Sequence, residues 1–361
     1  CEVVKHVDQQ LDSQANDGSI IVFLPGVAEI NRCCRMLEQD DGGNGLVVLP
    51  LHSALTPEDQ KRVFKSYGSK RKVVVSTNIA ETSITISDCV ATIDTGRAKT
   101  MVYNPNDNTT RLTETFISKA EANQRRGRAG RVREGISYKL FSKRLYQEDM
   151  IPMPIPEIKR VSLESLYLSV KSMGIKDVKK FLANGLDPPP LKTLERASAM
   201  LTTVGLLNEY DDSLTELGKF ISMMPVMDSK HGKLLIYSII FGVTDVGILL
   251  ASILSIGAPF INDFNMRDKI KALLQKYEPR GDLLAMAEIL RQYLQLQGGS
   301  AKNQFLKEHC LSYNKVRDIM SSRTQFYSIL KDVGFIPFKE DQKTNVYLNR
   351  NSANVAVLKA V

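Results

Sequence analysis

The sequence has little cysteine and none of the cysteine spacing that would give it a chemical role. Its five cysteines, Cys1, Cys33, Cys34, Cys89 and Cys310, are odd in number and include no CxxC pair. A disulfide scaffold and a zinc site are therefore not expected, and a reducing, intracellular compartment fits best. No basic-then-apolar opening stretch with a small-residue cleavage site is present, so a signal peptide is not expected. Long apolar runs are also scarce. Leu234 to Ile256 is the stretch most like a membrane span, but it carries Asp245 near its middle. A carboxylate there would cost roughly 2.5–3.5 kcal/mol in a bilayer. Gly242 as a stop and Thr244-Asp245 as a start predict two short buried helices instead, and no membrane partner.

What is present is the composition of a folded protein. The 361 residues are 43% hydrophobic and 24% charged, enough for two or three domains with cores of their own. The net charge is +8, and it is not spread evenly. Between Lys119 and Arg144 stand nine Lys or Arg against Glu121 and Glu134, a local +7. Such a run is usually a solvated face, but concentration this strong points to phosphate-bearing partners.

The first 150 residues predict an α/β layer. Ser19–Leu24, Leu46–Leu51, Val73–Ser76 and Val90–Ile93 are short, β-branched runs of the kind that make buried parallel strands. Val27–Glu38 has helical spacing, and Thr56-Pro57 caps another helix. Thr100–Tyr103 and Arg111–Ile117 flank the turn-rich Asn104–Asn108, predicting a projecting β-hairpin. Ile151 to Pro156 has proline at every second position, which excludes helix and marks a domain boundary. Beyond it Ser162 is the expected cap of a helix, Leu191–Val204 is amphipathic, and Leu206–Leu214 suggests a small hairpin. Helices followed by such a wing match a winged-helix module over residues 156–224. From Pro225 to residue 361 the pattern is that of a helical bundle, including Leu283–Leu296 and Val316–Leu330.

Two segments carry chemistry. In Gln124-Arg125-Arg126-Gly127-Arg128-Ala129-Gly130-Arg131, a capping box of Ser118 and Glu121 starts a helix. Gln124, Arg128 and Arg131 then fall at i, i+4 and i+7 and are expected to share one face of that helix. Two guanidinium groups and an amide there could clamp phosphate oxygens and neutralise charge on a transferred phosphoryl group. Gly127 and Gly130 would permit close backbone approach. The bland alternative is a basic helix on a solvated surface. The second segment, Ser76 to Ile86 (STNIAETSITI), follows a buried strand, where open α/β sheets place ligands. Its hydroxyls and amide could hold nucleic-acid phosphates, or only satisfy local backbone groups.

Together these segments closely resemble motifs V and VI of the DEAH-box (DEAH/RHA) RNA helicases of superfamily 2. Phe23-Leu24-Pro25-Gly26 resembles motif IV, Leu51-His52-Ser53 the motif after it, and Pro156-Glu157-Ile158-Lys159-Arg160 the PEI-x-R sequence that opens the family's winged helix. The resemblance implies a second RecA-like domain, α/β with a mostly parallel sheet, over 1–155. A winged helix over 156–224 and an all-α ratchet bundle over 225–361 would follow. It implies arginine fingers at Arg128 and Arg131 with Gln124 beside them. Phe64 would stack on adenine, though it could equally be a core anchor of its helix. Thr85 would lie near the ribose, and Ser87 stands where an acidic side chain usually faces the nucleotide. Ser53, Thr77 and Asn78 would hold the RNA backbone, while His52 is read as structural. The hairpin at Asn104–Asn108 matches the element that the family wedges between strands. The pattern is nearer to the RNA helicase A-like and ribosome-associated branch, which favours cytoplasmic over nuclear residence and a possible ribosomal or RNP partner.

No GxxxxGK[ST] loop and no DEAH box occur in the sequence. The cradle for ATP and the acid that holds Mg²⁺ are therefore expected in a preceding RecA-like domain, with this chain cut at both ends and inactive alone. Two other readings compete with an ATP-driven 3′-to-5′ RNA translocase. A non-catalytic RNA-binding scaffold would need positive charge but not the geometry of Gln124, Arg128 and Arg131. A winged-helix DNA binder would need a more basic recognition helix than Leu191–Val204, which has Lys192 and Arg196 against Glu195.

Overall fold

Four apolar runs become the middle of a parallel sheet. In the computed structural model the strands are β1 (Ser19–Phe23), β2 (Leu46–Leu51), β3 (Arg71–Ser76) and β4 (Cys89–Asp94). A separate antiparallel pair follows, β5 (Arg97–Asn104) and β6 (Thr109–Phe116), and then β7 (Ile136–Lys139). The order β2-β3-β1-β4-β7 is parallel throughout. Every residue of β1, β3 and β4 is buried, as expected for strands covered on both faces. The helices of this layer are α1 (Glu2–Ser13), α2 (Val27–Asp41), α3 (Pro57–Lys61), α4 (Ile79–Thr82) and α5 (Lys119–Arg126). The structure describes residues 1–41, 45–104, 106–107, 109–131, 134–224, 228–262, 266–277, 281–339 and 342–361. Pro105 and Asn108 of the hairpin turn, Arg133 of the basic run and Pro225 lie outside the described residues.

The chain forms two compact units, Cys1–Ser162 and Leu163–Val361. In the first, α1 and β7 had no counterpart in the sequence reading, and β3 begins two residues earlier than its apolar run. Arg71 and Lys72 are buried strand residues because their charges are met on all sides. Arg71 bonds Asp8 at 2.8 Å, Asp12 at 2.6 Å and the carbonyls of Asn16 and Gly18, which docks α1 on the sheet. Lys72 donates to the carbonyls of Val63 (2.7 Å) and Lys65 (3.3 Å) and pairs with Asp88 at 3.0 Å.

The second unit is mainly helical. Glu164–Ser172 is a helix as expected, with Leu163 rather than Ser162 at its N-cap position. Leu191–Val204 is a helix as predicted, and the small hairpin after it is reduced to one antiparallel bridge, Leu207 to Leu214. The apolar stretch at 234–256 is two helices, Ser229–Ile240 and Thr244–Ile256, parted at Gly242, whose φ of +68° favours glycine. A Cβ on Gly247 would overlap Ser238, so glycine is what lets these two helices pack closely. Among the described residues no helix is long and apolar enough to cross a membrane. Asp282–Gln295 and Tyr313–Asp332 supply much of the remaining core through Ile289, Leu290, Val316 and Ile319.

Arg71→Ala should destabilise the first unit by about 3 kcal/mol, the lower end for a broken buried pair, because Asp8 and Asp12 can still reach water. Urea unfolding measures the loss, and faster hydrogen exchange confined to α1 would locate it.

Candidate functional site

One guanidinium organises the region. α5 starts at the predicted capping box: Ser118 Oγ accepts from the Glu121 amide, and the Glu121 carboxylate accepts from the Ser118 amide. The carbonyls of Ile151 and Pro152 accept the next two orphan amides, those of Lys119 and Ala120. The proline-rich segment thus closes the helix N-terminus. One turn further, Arg125 is 1% exposed. Its Nε donates to Glu81 at 3.0 Å and an Nη to Asp94 at 2.8 Å, and its guanidinium lies 4.9 Å from the Phe23 ring centroid. Burial pushes the Glu81 carboxyl above its ordinary value, opposed by Arg125. Arg125, Glu81 and Asp94 had no assigned role in the sequence reading. The signal that could have found them was a glutamate in an otherwise neutral segment, STNIAETSITI, opposite an arginine-rich one.

The helix then ends. Gly127 is its C-cap, and the amides of Arg128 and Ala129 bond only three residues back. Gln124 is exposed on α5, but Arg128 and Arg131 lie beyond it, so the three do not share a helical face. Nor do Gly127 and Gly130 make room for backbone: a Cβ on Gly130 would meet open space, and one on Gly127 only ordinary contact. The crowded glycine is Gly135, where a Cβ would strike the Ala129 carbonyl.

The arginines are held from the segment after β3. Arg128 is 8% exposed and donates to the carbonyls of Glu81 and, at 3.4 Å, Ile84. Burial, and then Arg131 nearby, lower its pKa from the usual arginine value. Arg131 is exposed and donates to Thr85 Oγ1 at 2.6 Å.

The other candidates divide between the two ends of the sheet. Ser53 follows β2, and Thr77 and Asn78 follow β3. These ends are tied by the Thr77 amide donating to the Leu51 carbonyl (3.2 Å) and Ser76 Oγ donating to the same oxygen (3.1 Å). Ser53 and Asn78 are exposed there and Thr77 is partly so. Thr85 and Ser87 are not at that end. After the single turn of α4 the chain returns to the start of β4, which runs parallel to β3, so both lie toward the opposite edge. Ser87 is exposed, and the acid beside it, Asp88, is engaged by Lys72 and by Ser19 Oγ at 3.1 Å. Phe64 belongs to this second group. It is 56% exposed while Val63 is fully buried, so Val63 and not Phe64 anchors the short helix. Lys72 grips the carbonyls on both sides of Phe64 and reaches Asp88, joining the Phe64 turn to the start of β4. His52 is buried, and burial lowers its pKa. Among the described residues no group of three or more His, Cys, Asp or Glu could hold a metal ion.

Arg125→Leu should cost about 3–5 kcal/mol, because it strands two buried carboxylates. Adding Glu81→Gln and Asp94→Asn should recover part of the loss, and a triple variant less stable than the single in urea unfolding would refute the charge-stranding account.

Residues 2–133 match the family model described as the helicase conserved C-terminal domain. The chain is 65% identical over 362 aligned positions, all of its length, to a Saccharomyces cerevisiae protein named "Putative ATP-dependent RNA helicase YLR419W", of which it covers 25%. It is 34% identical to the DExH-box ATP-dependent RNA helicase DExH1 of Arabidopsis thaliana, over 95% of this chain and 34% of that one. It is 36% identical to the ATP-dependent RNA helicase DHX29 of Mus musculus, over 74% of this chain and 20% of that one. The chain therefore spans 20–34% of the length of these curated relatives. With motifs V and VI in place on a parallel α/β sheet, the chain belongs to the DEAH-box RNA helicases of superfamily 2, as the C-terminal half of their helicase core.

Proposed function

We propose that the chain is the second half of an ATP-dependent RNA helicase motor that steps 3′ to 5′ and remodels RNA or RNP. The observation that carries this reading is the continuous segment from Thr77 to Asp88. One end lies near Ser53 at the C-terminal edge of the sheet, suited to RNA phosphates, and the stretch from Glu81 to Thr85 meets Arg128 and Arg131. Nucleotide and RNA would thus be linked through a dozen residues of backbone.

The residues present fit the parts of ATP that this half must meet. Arg131 offers an exposed guanidinium, Thr85 a hydroxyl and Phe64 an open aromatic face. Bound ATP, with Mg²⁺ held by a preceding RecA-like domain, supplies the phosphoryl group whose hydrolysis drives the cycle. Arg131 would neutralise charge on that group, and Gln124 would stand beside it. Arg128 would join it by exchanging its carbonyl acceptors for phosphate oxygens. Phe64 would stack on the base, with Thr85 and Ser87 along the ribose side. Ser53, Thr77 and Asn78 would hold RNA phosphates, which position a strand without reading its sequence.

Residues 1–155 would form the second RecA-like domain, 156–224 a winged helix and 225–361 the ratchet bundle. The helices Glu164–Ser172, Leu191–Val204 and Glu216–Ser222 with the Leu207–Leu214 bridge support the middle assignment. Partners on this reading are RNA, ATP, the preceding domain and, for the branch that motif V suggests, ribosomal or RNP components in the cytoplasm.

In the full-length protein, Arg131→Ala should lower RNA-stimulated ATP hydrolysis by roughly 10³–10⁵ while RNA binding persists. An Arg131→Ala protein that retains turnover sinks the finger assignment, and a wild type with no RNA-stimulated turnover favours a binding scaffold. The Thr77→Ala, Asn78→Ala double variant should show the converse pattern: weaker RNA binding with an unchanged salt slope, because both side chains are neutral and release no counterions, and near-normal turnover at saturating RNA.

A further inference from the structure

The β5–β6 hairpin needs external anchors. A two-stranded ribbon is marginal alone, and β6 is exposed at seven of its eight positions, so it buries no face that would fix its direction. The strand β5 does better, with Ala98 and Tyr103 buried, and two residues hold it, Lys99 through its side chain and Arg160 through its backbone carbonyl and its guanidinium. Near its base, Lys99 Nζ bonds both carboxylate oxygens of Glu29, at 3.1 and 3.0 Å, in the first turn of α2. It crosses directly over Gly26, where a Cβ would come within 2.6 Å of Nζ. The lysine therefore holds the hairpin to the Phe23-Leu24-Pro25-Gly26 turn that follows β1.

Further along, Arg160 covers the free edge of β5. Its carbonyl accepts from the Tyr103 amide at 2.9 Å, its guanidinium donates to the Met101 carbonyl at 3.5 Å, and its Nε donates to Ile155 at 3.3 Å. The Met101 carbonyl and the Tyr103 amide are alternate groups on one edge of a strand, which would otherwise be open to pairing. Arg160 closes the Pro156-to-Arg160 motif, for which the nucleotide and RNA chemistry above gives no role.

We propose that Lys99 and Arg160 are positioning residues that make the hairpin move as one body with the strand-end turns of the sheet. Their work is to convert each ATP-driven step into strand separation; this rests on the motor reading above. Without them the hairpin would swing on its base, so hydrolysis would continue while fewer base pairs open per ATP.

The test uses the full-length protein with Lys99→Ala, Arg160→Ala, and the swap of Glu29→Lys with Lys99→Glu. Hydrogen exchange should show β5 amides opening about tenfold faster in each single variant, with β1, β3 and β4 unchanged. RNA-stimulated ATP hydrolysis should stay within about twofold of wild type, while duplex opened per ATP falls about tenfold, and the charge swap should recover most of the loss. Unchanged β5 exchange overturns the anchoring. Faster exchange with unchanged opening per ATP overturns the coupling role. A wild type that neither hydrolyses ATP on RNA nor opens duplex overturns the motor reading instead, and the exchange data still decide the anchoring.

Discussion

The ion cluster of Arg125 with Glu81 and Asp94 is the constraint on which the site depends. Three elements from distant parts of the sequence, the end of β4, the single turn of α4 and the C-terminal half of α5, meet at a guanidinium that is 1% exposed. Phe23, at the end of β1, supplies a fourth wall. A buried charge is costly unless its partners are close and correctly directed, so the cluster tolerates essentially one arrangement. Lysine would not substitute, because one ammonium cannot offer the planar fork that reaches two carboxylates from one side chain. Once that arrangement is set, Arg128 and Arg131 follow three and six residues later with little freedom. Their hydrogen bonds to the 81–85 segment are a consequence of where Arg125 sits.

The same cluster fixes the middle of the segment between β3 and β4, whose two ends are tied separately. Its start is tied to β2 through Leu51, its middle to α5 through Glu81, and its end to β1 and β3 through Asp88. A backbone held at three points transmits displacement rather than absorbing it. On the proposed reading this is how a phosphate contact at one edge of the sheet is felt at the other. The segment is short and largely neutral, and Glu81 is its single ionisable side chain before Asp88.

The parts of the fold driven by apolar burial were legible in the sequence. β2 and Leu191–Val204 end where their residue patterns end, and the capping box at Ser118 forms as its spacing predicts. What the sequence concealed depends on long-range electrostatics. Arg71 and Lys72 look like the polar lead-in to β3 because local pattern cannot show that Asp8, Asp12 and Asp88 will meet them. The helical face assigned to Gln124, Arg128 and Arg131 assumed a helix continuing through Gly127, whereas the structure stops it there and reaches the two arginines by tertiary hydrogen bonds. Thr85 and Ser87 part from Thr77 because β4, a strand parallel to β3, must begin at the opposite edge, so a linking segment this short has to cross the depth of the sheet.

The basic run between Lys119 and Arg144 shows why local charge is a poor measure of a binding surface. Its arginines meet different fates: Arg125 is neutralised inside the protein, Arg128 is turned onto backbone carbonyls, and Arg126 and Arg131 face solvent. Lys139 lies 4.1 Å from the Tyr146 ring centroid, and Arg144 pairs with Glu148. Much of the +7 read from sequence is therefore committed to the fold or to local pairs. The charge left over is small in number, but Arg131 sits on a frame that buried ion pairs have already made rigid. That suits a site where one guanidinium must be in place before charge develops, since a preorganised donor needs no rearrangement at the moment of reaction.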